Sequence, residues 1–314
     1  MINKQTITVA LAFSIAMMFN ACGQVTTKIQ VVDEQGDPVA GAEVKLWYVN
    51  YLDEEMKVIK TDAKGRIEDT GKPELRINLS VSKEGYYETS YKKSEGTSLG
   101  KDQDHDLTAT LRKQINPIPM YAKKINIRLP KIGEKFAFDL QAGDWLAPHG
   151  GGTIADIYVK SSKVVIDRNN YRCETFISFP KNSTDGILED ARWSKYSEFK
   201  SSRYAPEESY KPQEKIIDLQ DPVTGYQGET PNKNYLLMLR SSIDANGNII
   251  SANYAKIIGG INVWVGTWEG FVDKPPAISF TYYFNPNVND RNLEFDPEQN
   301  LFKNLTQEEE VTDP

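Results

Sequence analysis

The chain of 314 residues carries only two histidines and two cysteines, so imidazole and thiol chemistry have few places to occur. His149 follows Asp144 in the stretch Ala142-Gly143-Asp144-Trp145-Leu146-Ala147-Pro148-His149-Gly150-Gly151-Gly152-Thr153. An exposed imidazole beside a carboxylate can act as a general base. A hydrolase built on the 144–150 loop would also draw on Asn289-Asp290-Arg291-Asn292-Leu293-Glu294-Phe295-Asp296-Pro297. That reading requires Asp144, His149, Asp290 and Glu294 to converge on one pocket. A histidine set between proline and three glycines is far more often a turn residue. Acidic residues are plentiful, yet no local pattern selects a pair spaced for glycoside hydrolysis. Gly150-Gly151-Gly152-Thr153 lacks the lysine that a phosphate loop needs, and Ile154–Val159 reads as a strand where a helix would be required.

Metal chemistry fares no better. Asp102, Asp104 and Asp106 around His105 offer hard oxygen ligands, but without the glycine and closing glutamate of an EF-hand. Asp244-Ala245-Asn246-Gly247-Asn248 is accounted for by a hairpin turn. The sequence assigns no catalytic residue, no metal ligand and no cofactor.

The elements that would position these groups are strands. Tyr is the most frequent aromatic, with 16 copies, and strands are where aromatic side chains fit best. In Ile29–Tyr48, Ala42, Val44, Leu46 and Tyr48 fall on one face and Glu43, Lys45 and Trp47 on the other, after a Gly36-Asp37-Pro38 turn. Ile77, Leu79 and Val81 alternate in the same way, as do Leu107, Ala109 and Leu111. Asn246-Gly247 between Tyr235–Ser242 and Ile249–Ile258 predicts a tight antiparallel hairpin with positive φ at both turn residues. Ile261–Trp268 reads as a further strand with Trp264 and Trp268 in the core. Helical periodicity is too short for βαβ crossovers, although Ile187–Phe199 has room for a short helix. The fold class is all-β: an Ig-like or transthyretin-like sandwich over 25–113, a linker at 114–120, and a second antiparallel sandwich or jelly roll over 121–302. The acidic tail, 303–314, is expected to lack structure.

Met1–Cys22 stands apart. Lys4 precedes the apolar run 7–18, which is too short to span a bilayer comfortably, and Phe19-Asn20-Ala21-Cys22-Gly23 follows. This segment resembles a bacterial lipoprotein signal, which implies a lipid anchor at Cys22 and a place in the cell envelope, at the outer membrane or facing the periplasm. A secreted protein cleaved nearby is the alternative. Cys173 would then be a lone thiol in an oxidising compartment, and its place among Tyr171, Thr175, Ile177 and Phe179 on one strand face marks it as core.

Three separated motifs, DEQGDPVAGAEV, TDAKGRI and LSVSKEGYYE, occur in that order between Asp33 and Glu88. Together they resemble the carboxypeptidase-regulatory-like domain, a transthyretin-like or Ig-like sandwich. In the proteins that carry it this module is an accessory, which implies a structural or binding role for 25–113. The 142–153 and 289–297 motifs loosely resemble stretches of uncharacterised bacterial envelope proteins, a likeness that carries no mechanism.

Net charge is −7 with both signs interspersed, so nothing favours nucleic acid as a partner. The function expected is a non-catalytic envelope β-protein with a structural or protein-interaction role. The alternative is a binding module for envelope or extracellular polysaccharide. Trp145, His149 and Trp193 are the candidate ligand contacts, because flat rings in polar loops suit sugar stacking or a protein hot spot.

Overall fold

The computed structural model describes residues 24–92, 98–180, 184–190, 196–228 and 233–314, and these are almost entirely β-strand and connecting turns. Two units are present: one of residues up to Ile115 together with Tyr196–Glu198, the other Asn116–Lys195 and Phe199–Pro314. No helix among the described residues is long and apolar enough to cross a membrane. The expected anchor Cys22 and the candidate contact Trp193 both lie outside the described residues.

Among the described residues the first unit holds nine strands, four of which form an antiparallel sheet. β2 (Glu43–Val49) pairs with β3 (Glu54–Lys60) and β5 (Arg76–Ser82), and β5 pairs with β7 (Thr89–Tyr91). The opposing sheet sets β1 (Val25–Val32) between β4 (Arg66–Gly71) and β8 (His105–Thr110). β1 and β4 run antiparallel, whereas β1 and β8 are parallel. A short pair, β6 (Tyr86–Tyr87) with β9 (Arg112–Lys113), completes the unit. The alternation seen in the sequence is the packing. Ala42, Val44, Leu46 and Tyr48 are buried with Ile29, Val31, Leu79, Val81 and Ala109 in one core. Aspartates begin its turns: Asp33 Oδ1 accepts from the N–H groups of Gln35 and Asp37, and Asp62 Oδ1 from those of Lys64 and Arg66.

The second unit is a larger sandwich. One sheet orders β10 (Tyr121–Arg128), β20 (Ala277–Asn285), β19 (Ile249–Trp264), β18 (Asn234–Ile243) and β15 (Gly186–Asp190). The other orders β12 (Asp144–Trp145), β11 (Lys135–Asp139), β13 (Ile157–Asp167), β14 (Asn170–Ser178), β16 (Gln213–Asp221) and β17 (Gly225–Gln227). Every pairing in both sheets is antiparallel. Phe138, Ile157, Val159, Cys173 and Ile177 from one sheet meet Leu237, Ile257, Phe280, Tyr282 and Phe284 from the other. Burial pushes the Cys173 thiol up to about 11, as suits a core residue.

Three expectations change. Within Ile187–Phe199, which had room for a short helix, the residues up to Asp190 belong to a strand, Gly186–Asp190, whose backbone groups complete the sheet edge beside β18, and 191–195 lie outside the described residues. The Asn246-Gly247 hairpin forms, but only Gly247 has positive φ. Asp244 Oδ1 accepts from the Asn246 and Asn248 N–H groups, so the side chain closes a five-residue loop in place of a two-residue turn. The tail 303–314 is folded against the sheet. Val311 is buried with Met120, Ala122, Tyr283 and Phe295, and Lys123 pairs with Glu309 at 2.9 Å. Its acidity misled because one valine and its main-chain bonds suffice to dock it.

Candidate functional site

The 139–156 loop is a carboxylate-centred scaffold. Asp139 Oδ1 accepts from the Gln141 and Ala142 N–H groups and Oδ2 from those of Thr153 and Ile154, all at 2.9 to 3.1 Å. Burial works against its charge, yet these four donors prevail and hold the carboxyl below the usual carboxylate range. Asp144 does the same locally: Oδ1 accepts from the Trp145 N–H and Oδ2 from that of Gly151, both at 2.8 Å. Two of the three glycines, Gly150 and Gly152, are required sterically. A Cβ on Gly152 would stand 2.9 Å from the Asp139 Cβ, and one on Gly150 would meet the Trp145 carbonyl oxygen inside contact distance. Beneath the loop, Arg240 forms a two-point pair with Asp156, Nε to Oδ1 at 2.7 Å and Nη2 to Oδ2 at 2.9 Å. Burial raises the Asp156 carboxyl even though Arg240 and the Leu140 N–H pull it down.

This arrangement settles where the expected site residues lie. Trp145, read as a loop ring open to a ligand, is 5% exposed and stands edge-to-face on Phe138 at 5.3 Å between ring centres. It faces inward because β12 pairs with β11 and places it beside the sandwich core. His149 is exposed and sets its ring edge-on to Phe136 at 5.1 Å. Asp290 accepts from the Asn292 N–H, and the buried Glu294 accepts from the Asn116 N–H while pairing with Arg203 at 2.8 Å. Asp144 thus holds residues 145–151, while Glu294 holds Asn116 and Arg203. The four groups have structural partners of their own.

Around His105 the acids disperse likewise. Asp104 accepts from the Thr26 N–H, Asp102 pairs with Lys101, and His105 Nε2 lies 2.7 Å from the Gly100 carbonyl oxygen. Among the described residues no three His, Cys, Asp or Glu gather as a metal site. Gly96-Thr97-Ser98-Leu99-Gly100 has the letters of a nucleophile elbow, and its first two residues lie outside the described ones. Leu99 exchanges both backbone hydrogen bonds with Ile77, and the next element is the strand β8, whereas an elbow turns sharply from strand into helix.

The feature that sequence reasoning missed is aromatic. Trp264 and Trp268, expected in the core, are 36% and 56% exposed. Their rings meet edge-on at 5.6 Å, Phe271 lies against Trp264 at 5.1 Å, and the Arg128 guanidinium sits 5.0 Å over Trp264. Lys163 ties down the loop that follows β19. Its ammonium donates to the carbonyl oxygens of Val265, Phe271 and Lys274 at 2.7, 3.0 and 2.8 Å. The signal was present in the sequence: Ile261, Val263 and Val265 alternate with Asn262 and Trp264, so burying the aliphatic set turns Trp264 outward.

No family model matches the chain, and no curated protein matches it. Among solved structures, a DUF3823 family protein from Parabacteroides merdae is similar at 7% identity over 74% of this chain and 95% of that one, with a TM-score of 0.22. A suggested carbohydrate binding protein from Bacteroides uniformis is similar at 9% identity, over 85% and 98% of the two chains, with a TM-score of 0.21. A 3-chlorocatechol 1,2-dioxygenase from Rhodococcus opacus is similar at 14% identity, and there the match spans 29% of this chain and 60% of the enzyme, with a TM-score of 0.24.

Proposed function

We propose that this chain is a non-catalytic β-protein of the bacterial cell envelope, anchored by lipid at Cys22, with a role in structure or protein interaction. The observation that carries the reading is the use made of the reactive-looking side chains. Asp139, Asp144 and Glu294 accept hydrogen bonds from main-chain N–H groups of their own fold. Groups committed in this way hold a scaffold rigid and are poorly placed to exchange protons with a substrate. The three motifs between Asp33 and Glu88 support reading the first unit as a carboxypeptidase-regulatory-like accessory module. The apolar leader before Cys22 and the buried Cys173 support an envelope location.

The test is a screen of the purified chain against ester, glycoside and peptide substrates beside Asp144→Asn and His149→Ala variants. The expected outcome is turnover no different from buffer. Turnover lost in either variant would overturn the proposal. For the anchor, intact mass and membrane fractionation are compared with a Cys22→Ser variant, whose loss of a lipid-sized mass and of membrane association is expected.

A second reading, binding of envelope or extracellular polysaccharide, is favoured by one specific observation: the exposed rings of Trp264 and Trp268.

A further inference from the structure

Among the described residues, the outer face of the five-stranded sheet is roofed at one end and more open at the other. Over β18 and the first half of β19, Leu236, Met238, Ala252 and Tyr254 are buried against Ala205 and Leu293. On the same sheet, Ala122 and Tyr283 are buried under Met120, Phe295 and Val311. Towards the far ends of β10 and β19 no such cover is described. The bulge between Ile258 and Asn262, where Gly259 and Gly260 both take positive φ, sets the phase of the strand's last turn of pleat. Beyond it Val263 faces the core while Asn262 and Trp264 face outward.

The register then lays two rows side by side. Asn126, Ser279 and Asn262 are consecutive cross-strand partners, and so are Arg128, Ala277 and Trp264. Amide and hydroxyl groups thus line one row, and an indole capped by a guanidinium forms the next. Trp268 overhangs from a loop whose carbonyls are gathered on Lys163. Ordering of that loop in the free protein removes entropy that a ligand would otherwise have to overcome.

From this juxtaposition we propose that Trp268 and Trp264, with Asn126, Asn262 and Ser279, form a binding site for a hexopyranose polysaccharide. The inference rests on the carbohydrate-binding reading above. A pyranose ring has an apolar C–H face that stacks on an indole and a rim of hydroxyls that needs amide and hydroxyl partners. The more open end of this sheet supplies both on adjacent rows. A protein partner fits less well: a stable interface covers about 800 Å² per side around an apolar centre, and here the rings give way at once to Asn126, Ser279 and Asn262.

The experiment is native affinity electrophoresis of the full chain in gels that each contain one soluble polysaccharide: hydroxyethylcellulose, dextran, galactomannan or alginate. Retardation in at least one gel is expected. Trp268→Ala should weaken it by roughly tenfold or more, the loss typical of a central aromatic anchor, and Trp268→Phe should keep part of it. Both variants are checked for unchanged circular dichroism and melting temperature, which an exposed ring should allow. No retardation of the wild type in any gel would overturn the carbohydrate reading and the site together. Equal retardation of wild type and Trp268→Ala would overturn the site while leaving that reading in place.

Discussion

Asp139 shows how a single side chain can hold a loop together. Its two oxygens collect four backbone N–H groups from both ends of the 140–154 segment, so its charge is the hub of that fold. Because the folded carboxyl lies below the usual range, its stabilising contribution is present above the ordinary carboxylate pKa, about 4. That contribution fades as pH falls through the folded value. Asp139→Asn should cost about 2–4 kcal/mol at neutral pH, read by urea unfolding. The gap from wild type should shrink at pH 3, and a gap unchanged by acid would refute the assignment. The buried Cys173 behaves as the opposite kind of residue. With its thiol pushed up to about 11, the peptide carrying it should resist iodoacetamide at pH 8 until denaturant is added, as mass spectrometry can show.

At the scale of elements, the strands place these groups by departing from regularity. β18 bulges between Leu239 and Ser242, and Arg240 takes a positive φ of 52° there. Asp185 accepts the two N–H groups this releases, from Arg240 at 3.1 Å and Ser241 at 2.8 Å. The bulge aims the guanidinium at Asp156 and across the ring of Phe284. Removing one partner from a buried pair of this kind leaves an uncompensated charge, so Asp156→Ala should destabilise the second unit by about 3–5 kcal/mol. Lys163 is the corresponding device for the loop after β19. Lys163→Met should leave the sandwich folded but raise amide hydrogen exchange in 265–274, where four carbonyls would lose their shared donor. Exchange rates equal to wild type would argue against that role.

Across the whole molecule, two units each close a separate apolar core, and the C-terminal tail belongs to the second. Val311 is buried, Lys124 N–H donates to the Glu309 carbonyl at 2.9 Å, and the Tyr283 hydroxyl donates to the Asp313 carbonyl. A chain ending at Asn304 should lose about 2 kcal/mol from the valine and its contacts. In a unit of this size that corresponds to a melting temperature lower by about 5 °C, measurable by calorimetry. An unchanged melting temperature would mean that the tail contributes nothing to stability.

The sequence by itself determined most strands and several turns, because period-two alternation, the side chains of Asp33, Asp62 and Asp244, and the positive φ open to Gly247 act over a few residues. It was also enough to mark Cys173 as core. What it did not determine was the cover over two tryptophans, Trp145 expected in an open loop and Trp264 expected in the core. Trp145 sits in a loop of glycines and turns inward, since β12 pairs with β11 beside Phe138. Trp264 sits in a strand and turns outward, since the bulge at Gly259–Gly260 sets its phase. Both outcomes depend on which chain segments come to lie over a sheet face, a long-range matter decided only by the tertiary structure. The same holds for the tail, whose local composition says acidic and mobile while one distant apolar patch, Met120, Tyr283 and Phe295, holds it in place.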